Sequence, residues 1–440
     1  MGIALVTDLY ELNMAASYLR RHMVGPATFS LFVRKLPPGR GFLVAAGLED
    51  CISHLASLRF EDADLAWLRG AGFDDDALEG FRELRFTGEL WAVPEGRVVL
   101  ANEPILEVTA PIAEAQLVES ALVNHVTFQS AVATKAARCR LAAPGIALVD
   151  FALRRTHGIE AAMAVARLSA IAGFVATSNV EAARRFGLQA AGTMAHSYVE
   201  AFADEVEAFR AFAQQFPDRT TFLVDTYDTL TGVRAAIAVI GELGLGSGLG
   251  IRLDSGDLVG LSRAARRLLD DAGLGDVAIF VSGGLDEHDL ARFAAEAAPI
   301  DAAGIGTQLG VSGDAPSLDS AYKLVAYGDR PVMKLSENKA TLPGAKQVWR
   351  AGSMATDVLA LRGEAGPVGH EPLLVPVMQG GERIGAPEPI DAIAARLASD
   401  LAALPPAACD LLEPAVPTVT VSDELAALAR KIRSRHRPSK

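Results

Sequence analysis

The sequence predicts an α/β protein with an irregular (β/α) barrel-like domain of parallel strands and a second, mixed α/β domain rich in β-structure. Two observations support this fold class. Between residues 145 and 330, short apolar runs alternate with helix-like segments, a pattern typical of a parallel sheet. Residues 1–110 instead contain several strand-like runs separated by glycine and proline, which is typical of a smaller β-rich domain.

The predicted N-terminal domain, residues 1–110, begins with a helix signal in TDLYELNMAASYL. Its strand-like runs are TFSLFV, ELWAV, RVVLAN and ILEV. Apolar residues then recur three and four positions apart over residues 112–142, which predicts a long helix at the entry to the next domain. The barrel-like catalytic domain is predicted over residues 111–340.

Seven apolar runs in the catalytic domain predict its parallel strands. They are IALVDF (146–151), GFVATS (173–178), LQAAGTMAH (188–196), TTFLVD (220–225), LGIRLD (249–254), VAIFVS (277–282) and DAAGIG (301–306). Seven successive strands favour a barrel, and a doubly wound open sheet is the alternative. Residues 341–440 form a Pro/Gly-rich segment that ends in a helix, and part of this segment is expected to join the N-terminal domain.

Composition excludes several classes of protein. The chain has 440 residues, 50% of them hydrophobic, and a formal net charge of −13, which argues against nucleic-acid binding. Its three cysteines, Cys51, Cys139 and Cys409, are far apart and odd in number, so they are expected to be free thiols in a reducing compartment. Neither a signal peptide nor a membrane span is expected, and a cytoplasmic location follows.

Polar residues or glycine end each of the seven runs: Asp150, Ser178, His196, Asp225, Asp254, Ser282 and Gly306. The carboxyl ends of parallel barrel strands lie on one face, where active sites form, so these residues are expected to converge. Any one of them could instead be a helix N-cap. His196, taken alone, could be a packed core residue. All seven in phase favour an active site with His196 on its rim.

Two glycine-rich turns follow the last two strands, SGGLDE (282–287) and GIGTQLG (304–310), and RKLPPGRG (34–41) is a third, weaker signal. Such turns expose backbone N–H groups to phosphate oxygens, and the pair matches the common phosphate site of barrels. In IRLDSGD (251–257), Arg252 and Asp254 share a strand face. Asp225 and Asp254 are candidate Mg²⁺ ligands, although Arg252 and Asp254 could equally form an ion pair that only stabilises the strand end.

VDFALRR (149–155) places one aromatic ring beside two guanidinium groups. Phe151 could stack on a flat ring while Arg154 or Arg155 meets an anion. A core phenylalanine with surface arginines is the alternative.

These motifs, together with KLSENKATLPGAKQVWR, occur in an order that resembles the nicotinate phosphoribosyltransferase family over about residues 5–350. The resemblance implies an irregular α/β barrel with a mixed α/β domain. It implies a reaction that joins nicotinate to 5-phosphoribosyl 1-pyrophosphate, gives nicotinate mononucleotide and pyrophosphate, and is coupled to ATP hydrolysis. It further implies Mg²⁺ and a homodimer with shared active sites.

The resemblance also implies roles for single residues. Tyr10, contributed by the partner subunit, and Phe151 would sandwich the pyridine ring, Arg154 would face its carboxylate, and His196 would be phosphorylated by ATP. Ser178 stands where nicotinamide-using relatives have an aspartate, and a hydroxyl there can donate to nicotinate. Arg252 and Asp254 would hold ribose and phosphate. The implied phosphate-binding set is Ser282, Gly283, Gly306, Thr307, Lys334 and Lys339.

The chain departs from the family pattern in FALRR, where FGLRR is frequent, and at Gly284, where aspartate is frequent. Two other readings stay open. One is a phosphoribosyltransferase that accepts nicotinamide or quinolinate, and the other is a non-catalytic barrel that binds a sugar phosphate.

Overall fold

A computed structural model describes residues 3–336 and 341–435 of the chain. The chain divides into two compact units, which are considered separately below. The first comprises the described residues of 1–134 and 317–440, and the second comprises residues 135–316.

The N-terminal part of the first unit opens with a 3-10 turn at Ile3–Leu5. Its helices are α1 (Leu9–Arg20), α2 (Leu48–Ala56), α3 (Asp62–Gly70), α4 (Asp75–Glu83), α5 (Ile112–Leu117) and α6 (Glu119–Ala142), the last of which continues into the second unit. Its strands are β1 (Pro26–Val33), β2 (Leu43–Val44), β3 (Glu89–Ala92), β4 (Val98–Val99) and β5 (Pro104–Pro111). The helix expected over residues 112–142 is therefore interrupted at Val118, which lies between α5 and α6.

The second unit alternates strands and helices, as the sequence predicts. Its strands are β6 (Ala147–Asp150), β7 (Ala176–Thr177), β8 (Thr221–Leu223), β9 (Gly250–Leu253), β10 (Ala278–Val281) and β11 (Ala302–Ile305). Its helices are α7 (Ile159–Ile171), α8 (Val180–Phe186), α9 (His196–Glu200), α10 (Glu205–Gln215), α11 (Thr229–Leu243), α12 (Leu258–Asp271), α13 (Glu287–Ala295) and α14 (Thr307–Gly310).

These six strands pair in parallel in the order β7-β6-β11-β10-β9-β8, so β11 returns to pair with β6. The two end strands of this order, β7 and β8, do not pair with each other. The LQAAGTMAH run, expected to be a strand, contributes to this gap only one isolated bridge, between Ala190 and Thr177. The prediction of an α/β unit with parallel strands is confirmed, but no closed barrel forms among the described residues.

The chain then returns to the first unit with eight strands and two helices. They are β12 (Ser320–Tyr327), β13 (Arg330–Pro331), β14 (Lys346–Ala351), β15 (Thr356–Leu361), β16 (His370–Pro372), β17 (Val375–Gln379), β18 (Glu382–Arg383), β19 (Thr418–Val421), α15 (Ile390–Ala403) and α16 (Asp423–Arg435). The C-terminal segment is thus richer in strands than its proline and glycine content suggests.

A seven-stranded sheet, β13-β12-β1-β5-β3-β17-β18, organises the first unit. β1 lies inside this sheet, antiparallel to both β12 and β5, and seven of its eight residues are buried. Phe29 on β1 stacks on Tyr322 of β12 with ring centroids 4.8 Å apart. A second, four-stranded sheet has the order β16-β14-β15-β19. In the part of the chain that the structure covers, no helix is long and apolar enough to cross a membrane.

Candidate active site

A network around Arg252 joins the carboxyl ends of neighbouring strands in the second unit. Arg252 lies on β9, and its Nε donates a hydrogen bond to Ser282 Oγ at 2.8 Å, immediately after β10. Its Nη2 donates to Asp254 Oδ1 at 2.6 Å, and its Nη1 donates to Thr193 Oγ1 at 3.1 Å. Ser282 Oγ also donates to Asp254 Oδ1. The guanidinium is therefore held in one orientation by three separate acceptors.

Two carboxylates lie at this edge. Asp225 follows β8, and its Oδ2 accepts hydrogen bonds from the Asp254 backbone N–H at 2.9 Å and from Ser255 Oγ at 2.8 Å. Its other oxygen, Oδ1, is buried and has no hydrogen-bond partner within the described residues. A buried carboxylate oxygen without a donor is costly, so this atom marks a place where a ligand or ion is expected.

The environment of Asp254 favours its ionised form. Burial alone would raise the pKa of this carboxyl, but the hydrogen bond from Ser282 and the positive charge of Arg252 outweigh burial and lower it. A protonated His196 acts in the same direction. Asp254 therefore presents a stable negative charge next to the fixed cation of Arg252.

His196 does not end a strand, contrary to the sequence-based expectation. It is the first residue of the five-residue helix α9, after an irregular segment that pairs only at Ala190. Its side chain is 41% exposed, and its Nε2 lies 3.9 Å from Asp254 Oδ2. Its Nδ1 lies 3.2 Å from Thr226 Oγ1, a hydrogen bond that fixes the orientation of the ring. The structure thus brings His196 to Asp254 by a route that the strand pattern did not indicate.

Phe151 follows β6, and its ring lies below the Arg252 guanidinium, with 5.4 Å between the guanidinium carbon and the ring centroid. The ring also meets Phe280 at 5.4 Å between centroids. Ser178 follows β7, and its backbone N–H donates to Asp150 O at 2.8 Å, which places it beside the end of β6. Arg154, three residues beyond Phe151, is exposed. Phe151 and Ser178 thus follow two neighbouring parallel strands, β6 and β7.

The two glycine turns also follow the expected strands. Gly283 has a φ of +108°, and a Cβ there would collide with Asp254 O, so only glycine fits this close approach. Gly306 precedes α14, whose first residue, Thr307, is exposed. The Phe151 N–H donates to Ile305 O at 2.9 Å, which ties the second turn to the end of β6.

Comparison with known proteins identifies this architecture. The profile described as the nicotinate phosphoribosyltransferase (NAPRTase) N-terminal domain matches residues 5–127, and that of the NAPRTase family matches residues 146–311. A nicotinate phosphoribosyltransferase of Mycobacterium tuberculosis is 51% identical over 386 residues, which cover 87% of this chain and 83% of that protein. The chain belongs to the nicotinate phosphoribosyltransferase family.

Further relatives agree with this assignment. A Bacillus subtilis nicotinate phosphoribosyltransferase is 45% identical over 359 residues, 79% of this chain and 73% of that protein. The crystal structure of human nicotinic acid phosphoribosyltransferase superposes with a TM-score of 0.86 at 31% identity, covering 97% of this chain and 99% of that one. The resemblance read from the sequence motifs is confirmed.

Two described residues with roles implied by the nicotinate phosphoribosyltransferase family lie outside the second unit. Tyr10, in α1 of the first unit, is 46% exposed. Lys334, also in the first unit, has an exposed side chain, and its backbone N–H donates to Thr341 Oγ1 at 3.1 Å. Lys339 lies outside the described residues. The roles of all three stay predictions.

Sequence reasoning missed several residues that hold the site together. Thr193 accepts from Arg252, Thr226 contacts His196, and Thr177 Oγ1 donates to Asp150 Oδ2 at 2.6 Å. Two of them adjoin predicted residues, since Thr226 follows Asp225 and Thr177 precedes Ser178. Thr193 gives no such signal, because only the folded loop brings it to the guanidinium.

Proposed function

We propose that this chain joins nicotinate to the ribose C1 of 5-phosphoribosyl 1-pyrophosphate, giving nicotinate mononucleotide and pyrophosphate, and so supplies NAD biosynthesis. The proposal rests on one arrangement above all, the Arg252–Asp254–Ser282 network at the carboxyl edge of the parallel sheet. The chain's membership of the nicotinate phosphoribosyltransferase family gives that arrangement its substrates.

In this reaction the lone pair of the pyridine nitrogen forms the bond to C1. The C1–O bond breaks, and its electron pair leaves with pyrophosphate. Positive charge develops on the ribose and negative charge on the leaving group in the transition state. Arg252, held in place by Asp254, Ser282 and Thr193, offers a fixed positive charge to the leaving group. No strong base is needed, because the nitrogen of nicotinate is already nucleophilic.

Nicotinate would lie with its ring against Phe151. Arg154 is exposed three residues further on, within the same turn, and would pair with the carboxylate of nicotinate. Ser178 would add a hydroxyl donor, and its side chain is half-buried. An aspartate at this position would repel the carboxylate, which supports nicotinate over nicotinamide as the acceptor.

The donors at the site fit a magnesium ion. The buried Oδ1 of Asp225 has no hydrogen-bond partner among the described residues, and Asp254 offers a second carboxylate nearby. Within the described residues, no group of three or more His, Cys, Asp or Glu side chains could hold a metal. Two carboxylates suit Mg²⁺, which takes its remaining ligands from water and phosphate oxygens. When bound, the ion would neutralise charge on pyrophosphate.

ATP coupling is proposed to run through His196. If Nδ1 carries the ring proton and donates it to Thr226 Oγ1, Nε2 holds the lone pair. That nitrogen would attack the γ-phosphorus of ATP, form an N–P bond and release ADP, and water would later hydrolyse the phosphohistidine. His196 would then change the charge beside Asp254 rather than act as the acid or base of phosphoribosyl transfer.

We further propose a homodimer in which Tyr10 of one copy reaches the pyridine ring bound by the other. The support is the 46% exposure of an aromatic side chain that the family resemblance assigns to substrate. A cytoplasmic location is also proposed, on the ground that Cys51, Cys139 and Cys409 are all free.

The test is product analysis by mass spectrometry, with phosphoribosyl pyrophosphate and Mg²⁺ in every reaction. Nicotinate, nicotinamide and quinolinate are supplied separately, each with and without ATP. Nicotinate mononucleotide formed from nicotinate, at a rate that ATP increases, is the expected result. Turnover of nicotinamide or quinolinate in preference to nicotinate would contradict the proposed acceptor. Calorimetric binding of phosphoribosyl pyrophosphate with no product from any acceptor would indicate a non-catalytic sugar-phosphate-binding protein.

A further inference from the structure

A buried lysine in the second unit lies outside the proposed chemistry. Lys135 is on α6, and its side chain is only 1% exposed. Its Nζ forms an ion pair with Glu287 Oε2 and lies 3.1 Å from Asp314 Oδ1. Burial alone would lower the pKa of Lys135, but the two carboxylates outweigh burial and raise it, so the ammonium stays charged. A buried charge of this kind needs its partners in place.

The two partners of Lys135 belong to different glycine turns. Glu287 is the first residue of α13 and the last residue of the first glycine-rich turn, SGGLDE (282–287). Asp314 lies four residues beyond α14, the helix that begins at Thr307 after the second turn. One ammonium therefore pairs with a carboxylate at the end of the first turn and with a carboxylate that follows the second turn.

A second cation of α6 also pairs with Glu287 at the end of the first turn. Arg138, one helical turn beyond Lys135, has its Nε 3.0 Å from Glu287 Oε1, so both oxygens of Glu287 face cations on α6. The Glu287 side chain is fully buried. Asp286, just before it, caps α13 by accepting from the N–H groups of His288 at 2.8 Å and Asp289 at 3.2 Å. The start of α13 is thus held against α6 by two cations, and Asp314 contacts the same helix through the Lys135 ammonium.

We propose that Lys135 is a positioning residue that sets the spacing of the two phosphate-binding turns through Glu287 and Asp314. It touches neither substrate, and its effect is transmitted by the two carboxylates. The inference rests on the proposed function, because it assigns these turns to the 5′-phosphate. Loss of the ammonium would remove the ion pair that Lys135 makes with each of the two carboxylates, and would weaken binding of the phosphate more than binding of nicotinate.

The experiment compares Lys135→Met with the wild type in steady-state kinetics and in calorimetric titration with ribose 5-phosphate. Lys346→Met is the matched control, because Lys346 is equally buried and lies 3.2 Å from Glu107 Oε1, but in the first unit. For Lys135→Met, KM for phosphoribosyl pyrophosphate is expected to rise about tenfold or more, since small misplacements of positioning groups are costly. The affinity for ribose 5-phosphate should fall in parallel, while KM for nicotinate stays within about twofold of wild type. Lys346→Met should change neither KM for phosphoribosyl pyrophosphate nor the affinity for ribose 5-phosphate.

Asp314→Asn serves as a second variant, because it keeps both cations on Glu287 and removes the negative charge that pairs with Lys135 after the second turn. It should weaken ribose 5-phosphate binding in the same direction, even if Lys135→Met fails to fold. Unchanged phosphate affinity in folded Asp314→Asn protein, or an equal loss for both substrates in Lys135→Met, would overturn the inference. A wild type that binds ribose 5-phosphate but makes no nicotinate mononucleotide would contradict the proposed function and leave the positioning role measurable by calorimetry.

Discussion

The guanidinium carbon of Arg252 lies 5.4 Å from the centroid of the Phe151 ring, in a cation–π arrangement that joins the two halves of the candidate site. Arg252 also contacts the residues proposed to meet ribose and pyrophosphate, and Phe151 is the residue proposed to stack on nicotinate. The position of the Phe151 ring is therefore coupled to the position of the Arg252 guanidinium. A change to either residue is expected to affect the binding of both substrates.

Gly304 provides the space that the Phe151 ring occupies. A Cβ at this position would lie 2.6 Å from Phe151 Cδ2 and 2.8 Å from Cε2. Gly304→Ala is therefore expected to push the ring out of place and raise KM for nicotinate by roughly tenfold, at a stability cost of about 1–3 kcal/mol from overpacking. Kinetics with nicotinate as the varied substrate, together with thermal unfolding, measures both effects.

Gly145→Ala is the control for this change, because nothing lies within 4 Å of a Cβ built there. Gly145 precedes β6, the strand that carries the chain to Phe151. It should leave KM for nicotinate unchanged. If Gly304→Ala behaved like Gly145→Ala, the ring of Phe151 would not need its present position for nicotinate to bind.

Arg252→Lys tests whether the fork of the guanidinium, rather than its charge alone, is required. A lysine cannot reach Ser282, Asp254 and Thr193 together, because it has one donor nitrogen where arginine has three. We expect kcat/KM for phosphoribosyl pyrophosphate to fall by about 10²–10³-fold, the range for loss of a preorganised electrostatic group. The unfolding midpoint should change little by comparison.

Arg210→Lys controls for the loss of arginine geometry in general. Arg210 makes two hydrogen bonds of 2.8 Å to Glu242 in the same unit, but at the surface. Because exposed ion pairs contribute about 0–1 kcal/mol, activity and stability should both stay near wild type. A loss of activity in Arg252→Lys no larger than in Arg210→Lys would show that a simple positive charge suffices.

Local sequence patterns predicted most of the second unit and less of the first. The six parallel strands could be located because each is a short apolar run. The prediction of a strand at LQAAGTMAH was wrong. This run consists mostly of apolar residue types, as the true strands do. Five of its nine residues are small, and Gln189, Ala190 and Gly192 are exposed, so the segment buries little surface that would favour a ladder. Because this segment does not form a strand, the series of parallel strands stays open between β7 and β8.

Among the strands after residue 340, β17 was missed because its pairing with β3 is not local. β17 pairs with β3, so Val375 lies opposite Ala92, nearly three hundred residues earlier in the chain. Proline and glycine obscured the alternation in this region, and no short-range signal identifies such a partner. The candidate site likewise contains residues that local sequence patterns indicate and residues that they do not. The strand ends indicated Arg252, Asp254 and Ser282, whereas Thr193 and Thr226 reach their partners through loop geometry.

His196→Ala is expected to abolish ATP stimulation while leaving weak, ATP-independent synthesis. The reason is that the imidazole is proposed to accept a phosphoryl group and not to act on nicotinate. The measurement is acid-labile radiolabel transferred from γ-labelled ATP, together with the rate ratio with and without ATP. His196→Ala should take up no label, and its rate ratio should be close to one. Full ATP stimulation in this variant would refute the role.

Thr226→Val examines the tautomer of His196. It removes the hydroxyl that lies 3.2 Å from Nδ1 and keeps the size of the side chain. Labelling should slow by roughly 2- to 10-fold, the effect of losing one hydrogen bond that orients the nucleophile. His370→Ala, a histidine of the first unit, should label at the wild-type rate. Label retained in His196→Ala would place the modified residue elsewhere.

Glu205 gives the protein a pH-dependent stability. It is buried at the start of α10, and its Oε1 has no hydrogen-bond partner in the described part of the chain. Burial, together with the negative charges of Asp228 and Asp225, raises its pKa to about 7. The folded protein therefore keeps a proton on Glu205 that the unfolded chain loses near pH 4.5. Stability is expected to fall as pH rises from about 4.5 to about 7, and to stay lower above that range.

Glu205→Gln removes this pH dependence. At pH 8 the variant should exceed the wild type in free energy of unfolding by about 1–3 kcal/mol, and the difference should shrink towards zero near pH 5. Urea unfolding at several pH values measures this difference in free energy of unfolding. Divalent cations are chelated so that Asp225 carries no ion. Glu207→Gln, an exposed change in the same helical turn, should show no such trend. A stability difference of equal size at pH 5 and pH 8 would mean that Glu205 acts through packing and not through its charge.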